Sequence, residues 1–276
     1  MNIAVIICAA GKSNRFSGQK KKQFADVGGR AVFLRSIEFF ANNDNVKQII
    51  LSIPAEDEEM IKITHGANLS FHGVKLCIGG DERFETVAKA LELVRNDIDL
   101  VAVHDAVRCC LKEQWLDEVF KVAQISGAAM LACPVTATLK KVENGKIIET
   151  VDRKGLYEAQ TPQVFKKNLL KEAYANLGKS AKGETSPNGG PDKSNPPKGE
   201  VSPASTRVGE AGPRAEISDD SQLVEALGLK VSIVETDSSN IKITTKADIA
   251  IADAIIKSRP KPKKEGYLGP YGEAQW

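Results

Sequence analysis

The sequence predicts an α/β fold: a Rossmann-like, mostly parallel sheet with helices on both faces and a protruding β-arm. Two observations point to this class. Short apolar runs alternate with longer amphipathic runs at the helical period. Three of the apolar runs are followed at once by glycine or charged residues. In a parallel sheet these residues would lie beyond the carboxyl ends of the strands, which is where ligands bind.

The elements follow from composition and spacing. Residues 3–8 form an apolar run typical of a buried strand, and residues 46–53 form a second one, closed by Pro54. Apolar residues at helical spacing predict a helix at 31–41, and residues 82–95 are amphipathic at the same period. The other predicted strands are 74–78, 100–103, 128–134 and 231–234; the other predicted helices are 56–65, 113–125, 166–177, 219–227 and 245–257.

The arm is predicted where this alternation stops. Residues 136–150 suggest two short strands around Asn144-Gly145, the strongest two-residue signal for a hairpin. We therefore expect the β-arm to cover about residues 136–157.

The chain is predicted to form one domain from residues 1–177 and 214–257. Half of residues 178–213 are Gly, Pro or Ser, so this stretch is expected to be a disordered insertion. The tail, residues 258–276, is rich in Pro and Gly and is expected to be flexible.

The composition indicates which partners and which cellular compartment to expect. A net charge of +2 gives no global field that would favour nucleic acid. No apolar run approaches the roughly 20 residues of a membrane helix, so no membrane partner is expected. Five scattered cysteines, without a C-x-x-C pair, indicate reduced thiols and a cytoplasmic location.

The first candidate site is AAGKSNRFSGQKKKQF, directly after the first strand. Gly11 would let the backbone approach a phosphate, and Arg15 and Lys22 would supply positive charge. The spacing fits neither the Walker A loop nor the dinucleotide fingerprint. A basic surface loop with one turn glycine is the alternative. We call residues 9–22 the phosphate loop.

The second candidate site is IGGDERFETV, after the strand at 74–78. Gly79 and Gly80 would form a turn, Asp81 would be the N-cap of the next helix, and Thr86 would lie one turn into it. A capped helix without further function explains the same residues.

The third candidate site is VHDAVRCC, after the strand at 100–103. Asp105 lies where a Mg²⁺ ion that bridges nucleotide phosphates would be held, and Arg108 could pair with it or with phosphate. Zinc chemistry is discounted because His65 and His72 lie away from any ligand cluster.

Two weaker candidates follow. TVDRKGLYEAQTPQVF contains the charged pair Asp152-Arg153 and a Thr161-Pro162 turn, and a simple loop after the hairpin is the alternative. Lys242 is predicted in a short strand before the last helix.

The order of these segments resembles the 2-C-methyl-D-erythritol 4-phosphate cytidylyltransferase family. The resemblance rests on AAG…R…K, GG-D/E-R, VHDA-x-R, TVDR, QTPQ-x-F and NIK-I/V-T, and covers about residues 1–177 and 214–257. It implies transfer of CMP from CTP to a sugar-alcohol phosphate, with release of pyrophosphate, in the non-mevalonate route to isoprenoids. It also implies Mg²⁺ and a homodimer with interlocking arms.

The resemblance also assigns roles. Arg15, Lys22 and Lys242 would surround the reacting phosphate, and Asp105 would place Mg²⁺. The expected nucleotide-binding residues are Ala9, Ala10, Gly11, Gly80, Asp81, Thr86, Asp105, Ala106 and Arg108, and the expected substrate-binding residues are Thr138, Arg153 and Thr161.

Three positions depart from the family pattern. Ser13 replaces a usual glycine, Lys21 replaces the usual proline before the catalytic lysine, and Cys109 replaces a proline. A related ribitol-5-phosphate cytidylyltransferase, and a non-catalytic nucleotide-binding module, remain as alternatives.

Overall fold

The structure is a computed structural model that describes residues 1–11, 16, 21–180, 217 and 219–259, with the backbone alone for 178–180. The strands are β1 Ile3–Cys8, β2 Asp26–Val27, β3 Arg30–Ala31, β4 Val46–Ile53, β5 Lys75–Ile78, β6 Leu100–Asp105, β7 Ala128–Pro134, β8 Leu139–Glu143, β9 Lys146–Val151, β10 Tyr157–Lys166 and β11 Ser232–Glu235. The α-helices are α1 Val32–Ala41, α2 Glu58–Phe71, α3 Arg83–Leu91, α4 Glu113–Ser126, α5 Lys167–Ser180, α6 Ser221–Glu225 and α7 Lys246–Ser258.

The central sheet of the described residues has seven strands in the order β11-β7-β10-β6-β1-β4-β5. All neighbours pair in parallel except β10, which is antiparallel to both β6 and β7. The parallel strands therefore end at one edge of the sheet, as ligand binding at that edge requires. The predicted fold class is confirmed.

Both faces of the sheet are buried, as expected for parallel strands. In β1, Ile3, Val5 and Ile7 pack with α1, α2 and α4 on one face, whereas Ala4 and Ile6 pack with α3, α5 and α6 on the other. This explains why β1 is an unbroken apolar run without alternation. The two helical layers cover the faces of the sheet, and the cleft described below opens at the ends of its strands.

The β-arm is a separate two-stranded sheet of β8 and β9. Its turn residues, Asn144 and Gly145, have φ angles of 49° and 75°. Two successive positive φ angles are what a two-residue hairpin of the Asn-Gly type requires. The predicted turn is therefore in place, and most of the arm is exposed to solvent.

Two predictions about the chain path were wrong. Thr161-Pro162 forms neither the predicted turn nor part of a loop, because both residues lie within β10, where the bond between them is cis. Lys242 is not in a strand either: residues 241–244 are an irregular segment between β11 and α7. The polar side chains of both segments have partners in distant parts of the chain, such as Thr161 with the Asp105 amide and Lys242 with the Asp105 carboxylate, so the local pattern did not reveal either conformation.

The ends of the insertion and tail are partly described. Helix α5 continues to Ser180 and so includes the first three residues of the predicted insertion. The side chain of Arg259 donates to the carbonyls of Cys110 and Leu111 at 2.6 and 2.5 Å. The predicted disorder of residues 181–213 and flexibility of residues 260–276 lie outside the described residues. Within the described ranges, every helix is too short or too polar to cross a membrane.

Candidate active site

A cleft opens at the carboxyl edge of the sheet, where β1 and β6 end. It brings together three segments that the sequence singled out separately: the phosphate loop, the glycine turn after β5 and the end of β6. Its lining residues are Cys8, Ala9, Ala10, Gly11, Lys22, Gln23, Gly80, Asp81, Glu82, Arg83, Thr86, Asp105, Val107 and Lys242.

The described part of the phosphate loop is held at both ends. The amide of Ala9 donates to the carbonyl of Ser52 on β4 at 2.8 Å. The buried side-chain amide of Gln23 donates to the carbonyls of Ala9 and Gly11, at 2.8 and 3.4 Å. These bonds bring the residue after Lys22 back to the start of the loop, so Lys22 faces the cleft. Arg15 and Ser13 lie outside the described residues.

The glycine turn approaches α3 too closely for a side chain. A Cβ atom on Gly80 would lie 2.4 Å from the Cβ of Glu85, and one on Gly79 would lie 2.5 Å from that of Ala10. The hydroxyl of Thr86 accepts a hydrogen bond from the amide of Gly80 at 3.0 Å. Glycine is thus required where this turn meets the phosphate loop.

The N-cap prediction for Asp81 was wrong. Glu82 is the N-cap of α3, and the Glu85 carboxylate accepts from the amides of Asp81 and Glu82, at 2.9 and 3.3 Å. Such an N3 glutamate is the usual second member of a capping box. Asp81 instead lines the cleft.

The Asp105 carboxylate meets three cations. The ammonium of Lys242 lies 2.7 Å from one oxygen, and the guanidinium groups of Arg83 and Arg108 lie 3.5 and 3.6 Å away. Burial by itself would raise the pKa of Asp105, but the three positive charges outweigh burial and hold that pKa well below its usual range. Asp105 is therefore ionised in the cleft.

Arg83 links the cleft to the segment before α6. Its guanidinium pairs at 2.7 Å with the buried carboxylate of Asp220. Asp220 in turn accepts from the Tyr174 hydroxyl at 2.5 Å, and its amide donates to the Gln163 side chain at 3.0 Å. Burial opposes the charged form of Arg83, yet the carboxylates of Asp220 and Asp105 raise its pKa above the ordinary value.

A chain of hydrogen bonds fixes the backbone around Asp105. The Asp105 amide donates to the Thr161 hydroxyl at 3.0 Å, and this hydroxyl lies 3.0 Å from Nδ1 of His104. The Nε2 atom of His104 lies 3.2 Å from the carbonyl of Arg108, which can only accept. Nε2 therefore carries the proton and Nδ1 accepts from Thr161. Burial lowers the pKa of His104 to about 3, so this neutral form persists.

Two further predicted residues border the cleft. The amide of buried Ala106 donates to the carbonyl of Cys8 at 3.1 Å, which ties the end of β6 to the end of β1. Arg108 donates to the carbonyls of Asn240 and Ala159, at 2.7 and 3.3 Å. Burial lowers the pKa of Arg108 from its ordinary value. Arg108 thereby anchors the segment that carries Lys242.

The structure does not bring every predicted residue into the cleft. Thr138 and Arg153 are exposed at the base of the arm, where Arg153 donates to the carbonyl of Thr136. Thr161 is buried behind Asp105. Their predicted roles in substrate binding stay predictions.

Sequence reasoning missed Arg83, Asp220 and Gln23 as members of the site. Arg83 lies inside the GGDER segment, so its position after a strand was a usable signal. Gln23 follows the lysines of the phosphate loop, and Asp220 lies 137 residues from Arg83 in the chain. For these two, no local pattern indicated the contact.

The sequence matches the family model for 2-C-methyl-D-erythritol 4-phosphate cytidylyltransferase over residues 3–187 and 203–258. The chain belongs to this family. A curated protein of that name from Endomicrobium trichonymphae is 38% identical, over 94% of this chain and all of the relative. One from Rhodopirellula baltica is 33% identical, over 92% of this chain and 95% of its own.

Solved structures agree with the family. The cytidylyltransferase of Thermus thermophilus aligns with a TM-score of 0.69 at 28% identity, over 93% of this chain and all of its own. The 4-diphosphocytidyl-2C-methyl-D-erythritol synthase of Anaerococcus prevotii gives 0.69 at 25% identity, over 93% and 98%. The resemblance stated from the motifs is thus confirmed, and the protein is a cytidylyltransferase of isoprenoid biosynthesis.

Proposed function

We propose that this protein transfers CMP from CTP to 2-C-methyl-D-erythritol 4-phosphate and releases pyrophosphate. The observation that carries the proposal is the cleft in which Lys22, Asp105 and Lys242 face the glycine turn after β5. Family membership supports the choice of substrates, and the reduced state of the cysteines fits a cytoplasmic location.

The reaction needs no enzymic nucleophile. An oxygen of the substrate phosphate attacks the α-phosphorus of CTP, a new P–O bond forms, and the bond to the pyrophosphate oxygen breaks. A phosphate monoester is already a competent nucleophile, so the protein has to align the two phosphates and stabilise the developing charge. Lys22 and Lys242 present cations at the cleft, and Arg15 would add a third.

The surroundings of Lys242 would allow its ammonium to exchange the Asp105 carboxylate for a phosphate group. Its side chain is 40% exposed and its segment is irregular, whereas Asp105 opposite is only 10% exposed. A mobile ammonium at this place can leave the carboxylate and meet an incoming phosphate. Arg83 and Arg108 would remain beside Asp105 and keep it ionised.

Asp105 is also the residue that would hold Mg²⁺. Magnesium usually takes one or two carboxylates and completes its shell with phosphate oxygens and water. The ionised carboxylate in the cleft fits this role. Within the described ranges, no group of three or more His, Cys, Asp or Glu side chains is placed to hold a metal ion. When bound, the ion would neutralise charge on the triphosphate.

We further propose a homodimer in which the arm of one subunit reaches the cleft of the other. Thr138 and Arg153 do not line the cleft of their own chain, although the resemblance assigns them to the substrate phosphate. The arm carries three exposed apolar side chains, those of Val142, Ile147 and Ile148. A partner subunit would cover such side chains and receive the two polar groups.

The test is pyrophosphate release by the purified protein with Mg²⁺, across four nucleoside triphosphates and several polyol phosphates. We expect release only with CTP and 2-C-methyl-D-erythritol 4-phosphate. Ribitol 5-phosphate is the second substrate to include, because that alternative shares most motifs, although the family comparison does not favour it. Preference for ribitol 5-phosphate, or no release with any pair, would contradict the proposal.

A further inference from the structure

Two adjacent lysines at the exit of the phosphate loop have different surroundings. Lys22 lines the cleft. The ammonium of Lys21 instead lies 2.6 Å from Oδ2 of Asp57 and 2.8 Å from Oε1 of Glu56. The positive charge of Lys21 is therefore engaged by two carboxylates outside the cleft lining.

The two carboxylates follow a strand of the central sheet. Residues Ala55–Asp57 form a single 3₁₀ turn directly after β4. The end of β4 pairs with the end of β1, where Ser52 is opposite Cys8. The ion pairs thus connect the exit of the phosphate loop to the same strand that holds its entrance through Ala9 and Ser52.

The backbone of Lys21 decides where Lys22 points. Lys21 is extended, with φ −63° and ψ 148°, and the next residues, Lys22–Phe24, form one 3₁₀ turn. The Phe24 amide donates to the Lys21 carbonyl at 3.0 Å, which closes this turn on Lys21 itself. A displacement of Lys21 would therefore move Lys22.

We propose that Lys21 is a positioning residue, whose ion pairs with Asp57 and Glu56 fix the exit of the phosphate loop and so direct Lys22 into the cleft. The inference rests on the proposed function for its assay. Loss of the Asp57 pair should lower turnover more than loss of the Glu56 pair, because the Asp57 side chain is 14% exposed and that of Glu56 is 70% exposed. Solvent screens the exposed pair much more strongly.

The experiment compares Lys21→Gln, Asp57→Asn and the double variant with wild type, by pyrophosphate release. We expect each single variant to lower kcat about fivefold, the upper range for one partly exposed ion pair, with a smaller rise in KM for CTP as Lys22 is displaced. The double variant should be no worse than either single one, since both remove the same contact. Glu56→Gln should have the smallest effect.

The matched control is Lys62→Gln. Lys62 pairs with Glu58 at 2.6 Å on the exposed side of α2, one turn from the Lys21 partners and outside the cleft lining. It should leave kcat unchanged. Thermal unfolding of every variant separates a local effect on Lys22 from loss of folded protein.

Lys21→Pro distinguishes positioning from a direct contact with substrate. The ring of proline holds φ near −65°, close to the −63° of Lys21, so it should restore much of the kcat lost in Lys21→Gln without any charge. If Lys21 instead binds the triphosphate, Lys21→Pro and Lys21→Gln will both raise KM for CTP. Asp57→Asn will then leave turnover intact or strengthen CTP binding, and that result overturns the inference while leaving the proposed function in place.

An inactive wild-type enzyme would count against the proposed function instead, and the affinity of the same variants for CTP then tests the role of Lys21. The inference stands if Asp57→Asn weakens CTP binding no less than Lys21→Gln does and Lys21→Pro restores that binding. Any other pattern overturns the inference.

Discussion

Asp105 and Lys242 illustrate what single residues reveal in a sequence and what they do not. Asp105 could be singled out because a carboxylate directly after a buried strand lies at the ligand edge of the sheet. Lys242 had no such local signal, since it lies in an irregular segment and meets Asp105 only after folding, at 2.7 Å. Family resemblance, and no pattern of its own, pointed to this lysine.

Removal of Lys22 should mainly affect the chemical step. We expect Lys22→Ala to lower turnover about a hundredfold, the loss typical of one electrostatic stabiliser, and Arg15→Ala to do the same. Steady-state pyrophosphate release measures both. Lys47→Ala is the control, because Lys47 is exposed near the start of β4, at the opposite edge from the cleft. Near-normal turnover in either loop variant would refute its assignment.

His104 gives a prediction for stability at mildly acidic pH. Its pKa is about 3 in the folded protein and near 6.5 when unfolded, so below pH 6.5 the unfolded chain binds a proton that the folded protein does not. Stability from this group is therefore complete above pH 6.5 and falls as pH decreases. Between pH 6.5 and 5.5 wild type should lose about 1 kcal/mol more unfolding free energy than His104→Asn. Urea denaturation at both pH values tests this, and equal losses would contradict it.

At the scale of elements, β10 shows why the hydropathy pattern of a sequence can fail to indicate a regular strand. Its central residues are polar but buried, and each finds a partner far along the chain. The Gln160 side-chain oxygen accepts from Thr236 and Asn240 at 2.9 and 2.8 Å. Gln163 accepts from the amides of Asp220 and Ser221. Hydropathy alternation cannot predict such a strand, because its polar groups are satisfied only by the completed fold.

The arm was predictable because its signal is local: an Asn-Gly turn between two short strands. Its proposed role in dimerisation is testable at Ile147, whose side chain is 64% exposed on β9. Ile147→Asp should shift the protein toward monomer and lower turnover, since burial of a carboxylate in an apolar interface is unfavourable. Light scattering after size exclusion measures the mass. Ile63→Asp on α2, at a site 77% exposed, should change neither mass nor turnover, and an unchanged mass for Ile147→Asp would contradict the proposed interface.

At the scale of the whole molecule, the site is completed by residues on either side of the insertion. Asp220, just before α6, holds Arg83 of α3 at 2.7 Å, and Tyr174 of α5 holds Asp220. Helix α5 precedes residues 181–216 and Asp220 follows them, so the chain returns to the same place after the insertion. Composition predicts that this stretch is set apart from the domain, but it could not predict that its flanks meet beside the cleft.

Residues 188–202 can therefore be removed without loss of a site residue. The family model matches the chain on both sides of this stretch and passes over it. Deletion of 188–202 leaves 21 residues between Ser180 and Ile217, and we expect turnover within about twofold of wild type, because changing the length of a long connection costs little free energy. Asp220→Asn is the opposing control: it removes one member of a buried ion pair, which usually costs about 3–5 kcal/mol, so its melting temperature should fall clearly. Pyrophosphate release and thermal unfolding of both variants show whether each change affects catalysis or the stability of the fold. If the deletion abolishes most activity while the protein stays folded, residues 188–202 contribute to catalysis, and the site extends beyond the cleft.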